Sequence, residues 1–113
     1  MNKDDRQEQM LRRKVRPSAP GDILEELLEF NHITVTDAAR RIGVTRANLS
    51  RLIHGHQTLT PDMAQRLGKL FGNGPRVWLQ MQQNVDLWDM LHADSAPYEA
   101  IEPLVSDDEP VAA

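Results

Sequence analysis

The sequence predicts an all-α fold: one small domain of five helices between a basic leader and an acidic tail. Apolar residues recur at three- and four-residue intervals, as in Ile23, Leu24, Leu27 and Leu28 or Met63, Leu67, Leu70 and Phe71. That is the period of a one-sided helix, not of a strand. Aromatic residues are only 4% of the 113, so the core must be aliphatic, as in a helical bundle. Proline and glycine punctuate the chain at helix-length intervals, at Pro20, Gly43, Gly55, Pro61, Gly72 and Pro75. This length accommodates one domain, with an adequate core only if the helices pack well.

Pro20 and Gly21 open the first helix, with Asp22, Glu25 and Glu26 in the early turns where the helix dipole favours negative charge. Ile23, Leu24, Leu27 and Leu28 form its buried stripe, and Phe30 or Ile33 closes the corner after it. Residues 34–54, TVTDAARRIGVTRANLSRLIH, then form two short helices around a tight turn. Thr34, with Asp37 three residues on, makes a shortened capping box; Gly43 supplies the positive φ that ends helix two; Thr45 caps helix three. Ala38, Ala39, Ile42, Val44, Leu49 and Leu52 face inward, and the small Ala39 lets the helices approach closely. Gly55 ends helix three, and residues 56–59 are a loop. Thr60 caps helix four, Gly72 stops it, and Pro75 starts helix five, covering about 75–91.

Two amphipathic helices crossing at such a turn make a helix-turn-helix, whose second helix enters the major groove of DNA. On that helix Thr45, Arg46, Ala47, Asn48, Ser50, Arg51 and His54 are not needed for the core. Arg46, Ala47, Asn48 and Arg51 are the expected base readers: arginine grips guanine, asparagine adenine, and the alanine methyl meets thymine. Thr36, Arg40, Thr45 and Ser50 are the expected phosphate contacts, Thr45 through its hydroxyl and the free N–H groups of a helix N-terminus. A plain helical hairpin would share the periodicity. It would not need the glycine turn, the two caps and the small alanine together.

Helix five carries more apolar surface than one core contact requires. Trp78, Met81, Val85 and Trp88 form one stripe; Leu79, Leu87, Met90 and Leu91 form a second on another side. The second stripe is the expected dimer interface, since such readers work as symmetric dimers on half-sites about one DNA turn apart.

A net charge of −4 suits a DNA binder only once it is divided along the chain. Residues 1–16 hold six Lys/Arg and three Asp/Glu, residues 17–91 seven and eight, and residues 92–113 none and six. The acidity thus sits in the tail, while Arg40, Arg41, Arg46 and Arg51 gather on the motif. A weak overall field disfavours indiscriminate binding and a local patch permits specific binding. The leader 1–16, with Arg12, Arg13, Lys14 and Arg16, is expected to be flexible and able to follow a DNA groove. The tail 92–113 reads as disordered, with Tyr98, Ile101 and Leu104 available as apolar anchors on a basic partner.

Other classes find little support. There is no cysteine, hence no disulfide framework or thiolate metal site, which fits a cytoplasmic protein. No stretch approaches the roughly 20 apolar residues of a membrane span, and no signal-peptide pattern opens the chain. His54 and His56, two apart at a helix end, cannot share a face for a metal; His32 and His92 are isolated. The glycines of GNGP have no phosphate-cradle pattern around them, and Asp86 and Asp89 share a face without a partner acid or base and read as solvated. No cofactor, metal or catalytic constellation is expected, and the chain is not expected to be an enzyme.

From Arg16 to about Met90 the chain resembles the HigA-type antitoxins, also called the VapI group, of the Xre-like repressor family. The most specific segments are PGDIL, TPDMAQRL and WLQMQ…DLW; the helix-turn-helix alone fits many phage-type repressors. The resemblance implies a five-helix, lambda-repressor-like DNA-binding domain, a homodimer, and repression of the protein's own operon through double-stranded operator DNA. It further implies a partner, a HigB-type RNase toxin that cuts messenger RNA and is silenced when bound. A stand-alone repressor without a toxin, or a protein-interaction module without DNA specificity, are the alternatives. The leader and the tail lie outside the resemblance.

Overall fold

In the computed structural model residues 15–104 are described, and every regular element among them is helical. These are α1 (Pro20–Phe30), α2 (Val35–Ile42), α3 (Arg46–Ile53), α4 (Pro61–Phe71), α5 (Pro75–His92) and a single turn, α6 (Ala96–Glu99). The five expected helices are all present. Arg12, Arg13 and Lys14 of the leader and the acidic run Asp107, Asp108 and Glu109 lie outside the described residues.

Local chemistry places the helix ends. The Asp22 carboxylate accepts a bond from the Ala19 N–H at 3.1 Å, closing the first turn of α1 behind Pro20. Thr34, Thr45 and Thr60 cap α2, α3 and α4, each hydroxyl accepting from the backbone N–H three residues on. Gly43 has φ 76° and ψ 33°, the left-handed turn the sequence predicts between α2 and α3. The capping box at Thr34 forms by half. Its hydroxyl accepts from Asp37 N, while the Asp37 carboxylate turns to Arg40 and Arg41.

Packing follows the predicted stripes. Leu24 and Leu28 of α1, Ala38, Ala39 and Ile42 of α2, and Leu49 and Leu52 of α3 meet Met63, Ala64 and Leu67 of α4 and Trp78 of α5 in one core. Leu24, Leu49 and Leu67 are fully enclosed, each stabilising the fold by about 1.5–3 kcal/mol through burial. Between Phe30 and Ile33 the structure chooses. Ile33 packs on the core and Phe30 is 82% exposed, because His32 turns the chain at φ 56° and the Ile33 N–H returns to the Leu28 carbonyl at 3.1 Å.

Long-range polar contacts fasten the helices to one another. Arg66 of α4 donates through Nη1 to the Ile42 carbonyl at 2.6 Å, capping the carboxyl end of α2, and through Nε to Asp62 at 2.8 Å. Arg16 grips Asp89 of α5 with two parallel bonds of 2.8 and 2.9 Å. The expectation that Asp86 and Asp89 are merely solvated is therefore corrected. Both are exposed, but Asp89 is held by Arg16 and Asp86 accepts from Gln82 at 2.8 Å. After α5 the chain makes one further local turn, with Asp94 accepting from Ala96 N–H and Ser95 donating to Glu99; residues 93–104 remain exposed.

Candidate nucleic-acid interface

Two helix N-termini and one helix face make up the candidate interface. Each N-terminus carries backbone N–H groups with no helical acceptor and a partial positive charge, which suits a phosphate oxygen. Thr45 stands exposed at the start of α3; its oxygen accepts from Asn48 N at 3.0 Å, leaving its own O–H to donate outward. Thr36 and Arg40 are exposed on α2. Ser50 is half-buried, with its hydroxyl 3.3 Å from His54 Nδ1, which also lies 2.8 Å from the Ser50 carbonyl oxygen.

The four expected base readers lie on one short helix. Arg46, Ala47 and Arg51 are exposed and Asn48 is half-buried. Asn48 and Arg51 are one turn apart, so their side chains are neighbours. A residue outside the helix joins them. Gln57 accepts from Arg51 Nε at 3.2 Å and donates from Nε2 to Asn48 Oδ1. Sequence reasoning assigned residues 56–59 to a loop and gave Gln57 no role, because a single glutamine in a loop carries no periodic signal. The loop is held in turn by α5, where Gln82 accepts from Leu59 N at 2.8 Å.

Charge on α2 is organised around Asp37. Its carboxylate takes a short bond from Arg40 Nη2 and one of 2.8 Å from Arg41 Nε. The Arg40 bond first, then the Arg41 bond, hold the Asp37 carboxyl below its ordinary value. A depressed carboxylate pKa contributes stability above the unfolded value and loses it as pH falls through the folded one. Asp37→Asn should therefore be less stable than the parent at neutral pH, with the difference shrinking below about pH 4. Urea unfolding across an acid pH series reads this directly; a gap that stays constant with pH would show that the ion pairs contribute nothing. Freed of Asp37, Arg40 and Arg41 should also add phosphate affinity on every sequence alike.

On α5 the residues expected at a subunit interface divide by exposure. Met90 is 55% and Leu79 38% exposed, while Leu87 and Leu91 are half-buried. Val77, near the start of the helix, is 41% exposed. The first stripe is more deeply placed, with Trp78 and Val85 fully buried and Met81 packed on the core, while Trp88, its fourth member, is half-buried. Among the described residues no three His, Cys, Asp or Glu side chains converge to hold a metal ion. No helix among them is long and apolar enough to cross a membrane.

A capped helix pair with a left-handed glycine turn, a second helix offering two arginines and an asparagine, and a supporting five-helix core define a helix-turn-helix DNA-binding protein. Known proteins agree. The helix-turn-helix family model matches residues 24–79. The chain is 38% identical over 96 residues to antitoxin HigA-1 of Vibrio cholerae, covering 84% of this chain and 90% of that one. It is 37% identical over 84 residues to an uncharacterized helix-turn-helix transcriptional regulator of Haemophilus influenzae, covering 74% and 77%. The structure of Pseudomonas aeruginosa antitoxin HigA with the higBA promoter superimposes with a TM-score of 0.70 at 30% identity, over 80% of this chain and 100% of that one. This chain belongs to the HigA-type group of the Xre-like helix-turn-helix family. The group consists of DNA-binding regulators and antitoxins, not enzymes.

Proposed function

We propose that this chain is the antitoxin of a type II toxin–antitoxin module. It binds operator DNA as a homodimer, represses its own operon, and neutralises a HigB-type RNase that cuts messenger RNA. The observation that carries this reading is the outward face of α3, with Arg46, Asn48 and Arg51 beside two capped helix N-termini, in a chain whose Pseudomonas relative is an antitoxin solved with promoter DNA. Arg46, Ala47, Asn48 and Arg51 read bases; Thr36, Arg40, Thr45 and Ser50 position the backbone. Leu79, Leu87, Met90 and Leu91 of α5 bury against a second copy, which doubles the phosphate contacts. An operator as target and a partner that cuts messenger RNA both support work in the cytoplasm. A stand-alone repressor is the second reading, favoured by the Haemophilus relative's description as a transcriptional regulator.

Two experiments separate these outcomes. The chain is co-expressed with the product of an adjoining small reading frame that alone carries a tag. A stable complex, with growth arrest when that neighbour is expressed alone, supports the antitoxin; neither result leaves the stand-alone repressor. On DNA, Arg51→Ala should cost about 1–3 kcal/mol and relax preference at one base pair. Equal loss on all sequences would instead make Arg51 a phosphate clamp.

A further inference from the structure

We propose that Gln57 is a positioning residue of the DNA-reading face, and that it sets which end of the Asn48 carboxamide meets the base. The inference rests on the DNA-binding reading above and adds a specificity determinant outside the recognition helix. Its geometry begins in the backbone. Gly55 turns the chain after α3 at φ 74°, and the His56 N–H donates to the Arg51 carbonyl at 2.8 Å. Two residues beyond Gln57, Leu59 is buried and its N–H donates to Gln82 of α5 at 2.8 Å. Gln57, half-buried, is thus carried on a loop pinned at both ends.

The orientation of three side chains then follows from one fact of chemistry. A guanidinium group donates through five N–H bonds and accepts none. Arg51 Nε lies 3.2 Å from the Gln57 carboxamide, so the carbonyl oxygen of Gln57 must face it. The other end of that carboxamide, Nε2, donates to Asn48 Oδ1. Asn48 therefore has its oxygen engaged and its two Nδ2 hydrogens available. Arg51, with Nε engaged, keeps Nη1 and Nη2 for an end-on pair with guanine. An asparagine free to turn favours adenine, using its oxygen and nitrogen together. Held by its oxygen, Asn48 offers donors and matches a base edge that accepts, guanine N7 and O6 or thymine O4.

Selection from randomised duplex DNA tests this, using the full-length wild type, Gln57→Ala and Gln57→Glu, with thermal unfolding of each. Asn48→Ala identifies the base pair that Asn48 reads, as the position whose preference it removes. Wild type should prefer guanine or thymine there. Glutamate at 57 accepts but cannot donate, so it keeps Arg51 and makes Asn48 turn its Nδ2 inward and its oxygen outward. Preference at that one position should then switch to a donor-bearing base, adenine or cytosine, by about five- to a hundred-fold, while the guanine under Arg51 stays. Alanine at 57 frees Asn48 to turn, so preference at its position should move toward adenine. The guanine preference under Arg51, which loses its Nε partner, should weaken, and the melting temperature should stay near the parent's. Retention of the wild-type motif by both variants, or equal loss on all sequences, overturns the role of Gln57. A wild type that selects no motif removes the DNA-binding reading itself, a distinguishable failure, and this inference with it.

Discussion

Alanine at Gly21 should destabilise the domain by about 3 kcal/mol or more and lower its melting temperature by roughly 10–20 °C. Gly21 is buried where the start of α1 crosses the carboxyl end of α3. A Cβ there would stand 2.2 Å from the Leu52 carbonyl oxygen, 2.8 Å from that of Ile53 and 3.0 Å from Ile53 Cα. All three atoms are backbone. No rotamer change relieves the overlap, so one helix must shift bodily. The effect should reach function as well, because α3 is the helix proposed to carry the base readers; operator affinity should fall even where the variant remains folded. Circular dichroism melting measures the first effect and titration with operator the second. A melting temperature within a few degrees of the parent's would show that α1 and α3 separate without strain.

Trp78→Ala should be at least as severe, at about 3–5 kcal/mol, much of the 5–15 kcal/mol that holds a small domain folded. Trp78 is fully buried on α5, with the Phe71 ring of α4 at 5.9 Å and its indole N–H donating to Asn73 Oδ1 at 2.9 Å. Truncation removes the largest side chain of the core, leaves a cavity between α4 and α5 and strips Asn73 of its donor. Phenylalanine at 78 separates these effects. It keeps most of the volume and loses the hydrogen bond, a net difference of about 1 kcal/mol for the bond itself. Denaturant unfolding of the two variants gives the comparison, and similar midpoints would mean that cavity and volume matter little here.

Much of the fold and of the candidate interface was legible in the residues themselves. The caps Thr34, Thr45 and Thr60 and the turn at Gly43 form where expected, because each is settled within three or four residues by one hydroxyl or one dihedral angle. The apolar stripes of α1, α2 and α3 bury as expected, since a helix with one apolar face has only one way to remove it from water. Arg46, Ala47 and Arg51 emerge exposed by the same subtraction. What the sequence left open at Phe30 and Ile33 was decided by the left-handed backbone of His32, a conformation that histidine does not announce.

The contacts that join one element to another belong to the tertiary structure. Gln57 reaches Asn48 and Arg51, Gln82 holds the Leu59 N–H, Arg66 caps the Ile42 carbonyl and Arg16 clamps Asp89. Arg16 and Asp89 are 73 positions apart in the chain, and Arg66 and Ile42 are 24. No periodicity or local pattern relates such pairs. Sequence by itself determined where the five helices of the domain begin and end and which faces they hide, because those are short-range matters of capping, dihedral preference and apolar spacing. The single turn α6 falls in a tail that reads as disordered in the sequence. How the helices cross, and therefore which donors and acceptors meet between them, was decided only by packing in three dimensions, where a hydrogen bond depends on distances of a few tenths of an ångström.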